Sequence, residues 1–248
     1  MTIPFEPVVF GIPINVHLIL EYAAFFLGFR YYLFLRKRRE DPITSSNRLS
    51  IILGAIIGAF LGSRLMAIME NPAWISGEMD WIEALQAKTI MGGLFGGLIG
   101  VELAKKIIGE RQSSGDLFTF PLILGIFIGR IGCFLTGINE FTYGTETDFF
   151  MGMDLGDGLM RHPIALYEML FLACLFITLK VIARRNQQLP SGLIFKLFML
   201  SYFGFRFLME FLKPNVFFIW GLSSIQWLCL ACWGYYLIIF SKQITRAN

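Results

Sequence analysis

Seven runs of about 20 mostly apolar residues, at approximately 14–35, 49–69, 89–108, 117–136, 163–183, 192–212 and 221–240, leave this chain few choices of fold. A helix of that length crosses a hydrocarbon core about 30 Å thick. Backbone groups must be satisfied internally in lipid, and the runs are continuous rather than alternating, so helices are expected in place of a barrel. Composition agrees. Of the 248 residues, 56% are hydrophobic and the mean hydropathy is +0.64, more apolar surface than a soluble domain of ordinary make-up carries. The expected fold is all-α: one polytopic membrane domain over 1–248 with seven transmembrane helices.

The basic residues that end the runs predict its orientation. RKRR at 36–39 follows the first span, Lys105 and Lys106 the third, Arg184 and Arg185 the fifth, and Lys242 and Arg246 the seventh. All four clusters fall on one side of a seven-helix layout, which the positive-inside rule makes cytoplasmic. The N-terminus is then outside and the C-terminus cytoplasmic. No small-residue cleavage site is evident near the start, so the first span reads as an anchor. The expected home is a bacterial inner membrane. Because the basic clusters are topological signals, the net charge of +3 does not imply nucleic acid.

Three outer segments are expected, at 70–88, 137–162 and 213–220. The second, rich in glycine, acidic and aromatic residues, is long enough for a small structured cap, and long loops in compact proteins are often functional. Glycines at 92, 93, 96, 97 and 100 put a small-residue face on the third helix. That face serves close helix packing, or, around Gly96 and Gly97, a wall where a lipid approaches the backbone. Cys174, Cys229 and Cys232 lie inside spans and offer no disulfide framework; the "CLAC" of the last helix reads as packing.

Arg64, Arg130 and Arg206 lie within predicted spans, where a charge is costly enough to mark a candidate functional site. Counted from the cytoplasmic ends at 1.5 Å per residue, all three stand roughly 20–23 Å across, in the outer half. Other polar residues reach the same level. His17 and Glu21 share a face at i, i+4 in the first helix; His162, Tyr167 and Glu168 open the fifth; Tyr202 and Glu210 flank Arg206 by one turn each. These helices are thus expected to line one outward-opening polar chamber. Plain structural alternatives exist: Arg206 with Glu210 and His17 with Glu21 as self-neutralising pairs, Arg64 snorkelling to the surface, His162 as a helix-entry residue. Arg130 has no acid three or four residues away, so its partner must come from elsewhere in the chain.

A guanidinium is permanently charged and presents a planar donor fork, which suits phosphate. Arginines in the outer leaflet, with carboxylates to orient them and histidine and tyrosine nearby, fit a phospholipid head-group site. Neither a metal site nor any cofactor is expected: the two histidines and scattered acids show no ligand spacing. The seventh span has no lysine for a Schiff base, and no GxSxG nucleophile motif is present.

The segments "GRIGCFLTGINEFTYG" (129–144), "RHPIALYE" (161–168) and "YFGFRFLMEFLK" (202–213) resemble, in order and content, the motifs of the prolipoprotein diacylglyceryl transferase family. "GSRLMAIMENP" (62–72) and "GGLIGV" (96–101) are similar to further family segments. The resemblance covers nearly the whole chain. It implies transfer of the diacylglyceryl group of phosphatidylglycerol to the cysteine thiol of a prolipoprotein lipobox peptide, releasing glycerol phosphate. Arg130, Arg206, Glu210 and Tyr202 match family positions, Glu140 is the counterpart of the signature's acid, and His162, Tyr167 and Glu168 match the second element.

By this resemblance Arg130 and Arg206 hold the departing phosphate, with Glu210 orienting Arg206 and Tyr202 on the head group. His162 is the first candidate to activate the thiol, His17 with Glu21 the second, and the local arginine field alone the third. Arg64, Glu140, Tyr167, Glu168, Cys133, Gly96 and Gly97 complete the expected lipid-binding set. The sequence departs from the family at Cys133 and Thr136, where asparagines are common, and at Phe95 or Met91, where many members carry a histidine. These departures leave phosphate binding intact and bear on thiol activation. The alternatives are a transferase using a related donor with another acceptor, and a non-enzymatic phospholipid-binding membrane protein.

Overall fold

The computed structural model describes residues 3–38, 41–70, 87–186, 189–215 and 219–247. Most of the outer segment expected at 70–88 lies outside the described residues. Among these residues are seven α-helices: α1 (Val16–Arg38), α2 (Ser45–Glu70), α3 (Ile90–Ile108), α4 (Asp116–Thr136), α5 (Ile164–Arg185), α6 (Leu193–Met209) and α7 (Ser224–Ala247). Five segments are long and apolar enough to cross a membrane: Val16–Arg38, Ser45–Glu70, Asp116–Asn139, Ile164–Arg185 and Ser224–Ser241. The chain is a multi-pass membrane protein. The other two helices correspond to expected spans but differ for identifiable reasons. Glu102, Lys105 and Lys106 charge the last turns of α3, while α6 has 17 residues and passes into the tight turn Glu210–Leu212. Large apolar side chains such as Phe25 and Phe26 on α1 and Ile56 and Ile57 on α2 are exposed, as lipid-facing surface requires.

Local chemistry sets the helix ends. Asn15 accepts the Leu18 N–H at 2.9 Å to start α1, and Thr89 accepts the Gly92 N–H at 3.0 Å to start α3. Gly109, at φ 72°, closes α3 with a left-handed cap. Ser223 and Gln226 form a reciprocal capping box ahead of α7: the Ser223 N–H donates to Gln226 Oε1 at 2.9 Å, and the Gln226 N–H donates to Ser223 Oγ at 3.2 Å. Asp116 caps another helix: its carboxylate accepts the N–H groups of Gly192 at 2.6 Å and Phe195 at 3.0 Å, where α6 begins.

The chain folds as two compact units interleaved in sequence. The first comprises Met1–Glu40, Ser114–Ser201 and Phe211–Pro214; the second Asp41–Ser113, Tyr202–Glu210 and Asn215–Asn248. In the first, α1 packs antiparallel on α4, with Gly28 facing Pro121, Ala24 facing Gly125, and the Tyr32 and Phe118 rings stacked 4.6 Å apart. Phe120 meets Phe176 edge to face at 5.3 Å, joining α4 to α5. Two hairpins, too short for an alternating pattern to announce, join this helical frame: β1 (Val8–Val9) with β2 (Ile12–Pro13), and β3 (Met153–Asp154) with β4 (Met160–Arg161).

The second hairpin belongs to the expected cap at 137–162. Its tip is tied by Asp154 Oδ1, which accepts the Gly156 and Gly158 N–H groups at 2.8 and 3.0 Å. Arg161 pairs with Asp157 at 2.7 Å; burial alone would raise the Asp157 carboxyl pKa, but the Arg161 hydrogen bond, the Leu159 N–H and the Arg161 charge outweigh it and hold the carboxyl below its usual value.

In the second unit α2 and α3 pack antiparallel along glycines. Gly54, Gly58 and Gly62 oppose Gly100, Gly96 and Gly92, and a Cβ on Gly96 would stand 2.3 Å from the Gly58 carbonyl oxygen. This is the close helix packing weighed for the face that carries Gly96 and Gly97. Gly96 meets Gly58 and Gly62 while Gly97 meets Ala55 and Ala59, so the neighbouring helix occupies that face. Gly96→Ala is expected to cost about 1–3 kcal/mol by overpacking. Thermal unfolding in detergent checks this: an unchanged midpoint would show that the helices do not approach so closely.

Candidate functional site

The first unit places Arg130 late in α4 and Glu168 in the opening turns of α5, where Arg130 Nε lies 2.8 Å from Glu168 Oε1. Both are buried, Arg130 7% and Glu168 0% exposed. A buried guanidinium needs compensation, and Glu168 is the partner that Arg130 lacks within its own helix. On another side Arg130 Nη1 donates to Cys133 Sγ at 3.7 Å, across one turn of α4. Cys133 Sγ is in turn 3.6 Å from His17 Nε2, and His17 Nδ1 is 3.3 Å from Glu140 Oε1. The result is a chain of contacts, Glu168–Arg130–Cys133–His17–Glu140, drawn from α1, α4, α5 and the segment after α4.

A glycine permits that convergence. A Cβ on Gly132 would stand 2.9 Å from His17 Cδ2, so this position of the "GRIGCF" run makes room for the imidazole. The carboxylate in contact with His17 is thus Glu140, while Glu21 is within electrostatic range one turn along α1. His162 has different company. Its Nδ1 is 3.2 Å from the Tyr167 hydroxyl, its ring lies 6.1 Å from that of Phe149, and its backbone pairs with Gly144 and Thr145. Gly144 also serves by its size, since a Cβ there would be 2.5 Å from His162 Cβ.

The second unit repeats the arginine–carboxylate theme. Arg206 Nη2 donates to Glu210 Oε1 at 2.7 Å, with Arg206 5% and Glu210 0% exposed. Glu210 is further held by Asn215, whose Nδ2 donates to its carbonyl at 3.1 Å and to its Oε2, and by Ser223 Oγ at 3.5 Å. Asn215 and Ser223 lie outside the recognisable motifs, and only the Ser223-x-x-Gln226 capping pattern marks that region in sequence. Tyr202, one turn before Arg206, is fully buried. Arg64 Nη1 donates to the Ala87 carbonyl at 2.6 Å, and its guanidinium lies 5.4 Å from the Phe60 ring centroid; it is tethered where the chain enters α3. Phe95 packs 6.4 Å from the Phe203 ring, an apolar contact.

Helices long and apolar enough to span lipid, with Arg130 and Arg206 each buried against a carboxylate, define a membrane protein that holds compensated charge in its apolar interior. Residues 7–241 match the prolipoprotein diacylglyceryl transferase family. A phosphatidylglycerol–prolipoprotein diacylglyceryl transferase of Wolbachia sp. subsp. Brugia malayi is 33% identical over 224 residues, covering 84% of this chain and 82% of that protein. Proteins of the same name from Rickettsia bellii and Nitratidesulfovibrio vulgaris (strain DP4) are 31% and 35% identical, covering 87% and 71% of this chain and 86% and 65% of theirs. The chain belongs to the prolipoprotein diacylglyceryl transferase family and is a transferase.

Proposed function

We propose that the protein transfers the diacylglyceryl group of phosphatidylglycerol to the lipobox cysteine thiol of prolipoproteins, releasing glycerol phosphate. The reading places it in a bacterial inner membrane, with seven spans, the N-terminus outside, the C-terminus cytoplasmic and the site opening to the outer leaflet. The observation that carries it is Arg130, buried against Glu168 and adjoining the His17–Glu140 pair.

In this reaction the glycerol C–O bond breaks while the substrate thiolate attacks carbon. Charge grows on the departing phosphate, and Arg130, held by Glu168, is set to stabilise it in a water-poor site. Arg206, Glu210 and Tyr202 carry the family's late motif and are assigned to the donor head group on that ground. A thiol of pKa about 8.5 is only slightly ionised at neutral pH. A base is therefore useful, and His17 is assigned that role: Glu140 at Nδ1 leaves Nε2 to accept the proton. His162 and Tyr167 hold one another and are assigned to positioning, with Arg64 at the edge of the donor site.

Labelled phosphatidylglycerol with and without a lipobox peptide tests the assignment. Peptide-dependent glycerol phosphate release is expected; donor binding without release would sink it. A second reading, the same donor with a different acceptor, draws on Phe95, which can take no proton where many members carry histidine. It is supported if label moves to another molecule and not to peptide. His17→Gln is expected to lower turnover about 10²-fold or more, whereas His162→Gln costs less. Normal turnover in both variants would remove histidine base catalysis.

A further inference from the structure

The mechanism above uses Arg130 and His17 and leaves the thiol between them without a task. Cys174 is exposed on α5, and Cys229 and Cys232 are buried in apolar α7. Cys133 alone among the described cysteines contacts both a guanidinium and an imidazole: Sγ is 3.7 Å from Arg130 Nη1 and 3.6 Å from His17 Nε2, and the imidazole is backed by Glu140 at 3.3 Å. Nucleophile, base and orienting carboxylate in that order form the arrangement that activates a cysteine for acyl transfer. Glu140 at Nδ1 orients the imidazole with Nε2 toward the sulfur, and Arg130 places a positive charge beside it.

The next step rests on the reading that Arg130 holds the phosphate of a phospholipid, because the acyl ester carbonyls of such a lipid are only a few bonds from its phosphate. We propose that Cys133 is a nucleophile that accepts a fatty acyl group from an ester-linked phospholipid, giving this site a second activity, ester hydrolysis through an acyl-cysteine. The Cys133 proton passes to His17 Nε2 and the sulfur attacks the ester carbonyl carbon. An S–C bond forms, the ester C–O bond breaks, and the departing glyceryl oxygen takes the proton back from His17. The products are acyl-Cys133 and a lysophospholipid. Water then opens the thioester, releasing fatty acid and restoring the thiol.

The chemistry favours the carbonyl over the glyceryl carbon. Phosphate leaves as a stable anion and needs no proton, whereas a glyceryl alkoxide does, and the Cys133–His17 contact supplies a group able to return one. Attack on the glyceryl carbon would instead form a thioether that water does not reopen.

The test uses the full-length protein in nanodiscs with phosphatidylglycerol labelled separately in acyl chain and head group, followed by intact mass and peptide mapping. The expected result is an acyl adduct on Cys133, cleaved by neutral hydroxylamine, with lysophosphatidylglycerol and fatty acid formed. Both are lost in Cys133→Ala and lowered at least tenfold in His17→Gln. If Cys133→Ala does not fold, Cys133→Ser takes its place, since any oxygen ester it forms resists neutral hydroxylamine. Lysolipid formation that persists without the thiol overturns the proposal, as does a hydroxylamine-stable diacylglyceryl adduct. Glycerol phosphate release with neither adduct nor lysolipid overturns it and leaves the transferase reading standing; no product from either label overturns both.

Discussion

Arg130→Ala is expected to lower glycerol phosphate release by at least about 10²–10³-fold, the scale of losing a preorganised donor to transition-state charge. At about 1.4 kcal/mol per tenfold, that is roughly 3–4 kcal/mol of barrier. Arg130→Lys keeps the charge but not the planar fork and should recover only part of the rate. Arg206→Ala is expected to behave alike. Turnover of purified, folded variants on phosphatidylglycerol and lipobox peptide is the measurement. Activity retained in either alanine variant would end the phosphate-clamp mechanism. The loss should appear in the transition state, with kcat and kcat/KM falling together, since a cation that merely helped lipid to bind would raise KM and spare kcat.

The need for a partner to Arg130 is legible in its helix, because no acid stands a turn away. Which acid answers is not: Glu168 sits on another helix, and only the packing of α5 on α4 brings it to 2.8 Å. Local reasoning succeeds where the contact is local, as with Arg206 and Glu210 one turn apart. For His17 the same i, i+4 rule points to Glu21 and misses Cys133 and Glu140, because the antiparallel docking of α1 on α4 supplies those neighbours. Gly132 is visible in sequence, but that it makes room for an imidazole is visible only once α1 and α4 are paired. The glycines of α2 and α3 are the converse case, where spacing reveals a packing face and the fold decides that a helix, not lipid, lies against it. Helix existence follows from apolar length; the hairpins, with two residues per strand, leave no periodic trace.

Glu168→Leu is expected to be the most destabilising of these changes, and its rescue separates structure from chemistry. Removing the carboxylate leaves a guanidinium in a site only 7% exposed, a change that typically costs about 3–5 kcal/mol. Replacing both partners by apolar residues of similar volume removes the uncompensated charge and is often neutral or stabilising. The double variant Arg130→Met, Glu168→Leu should therefore regain most of the thermal stability lost in Glu168→Leu. It should not regain turnover, because the guanidinium proposed to hold the phosphate is gone. Unfolding midpoints and glycerol phosphate release, measured on the wild type, both single variants and the double, form a cycle with two readouts. Stability and activity returning together would make the ion pair a structural clamp and move the phosphate site elsewhere. Stability returning without activity would assign Arg130 to the chemistry and Glu168 to holding it in place.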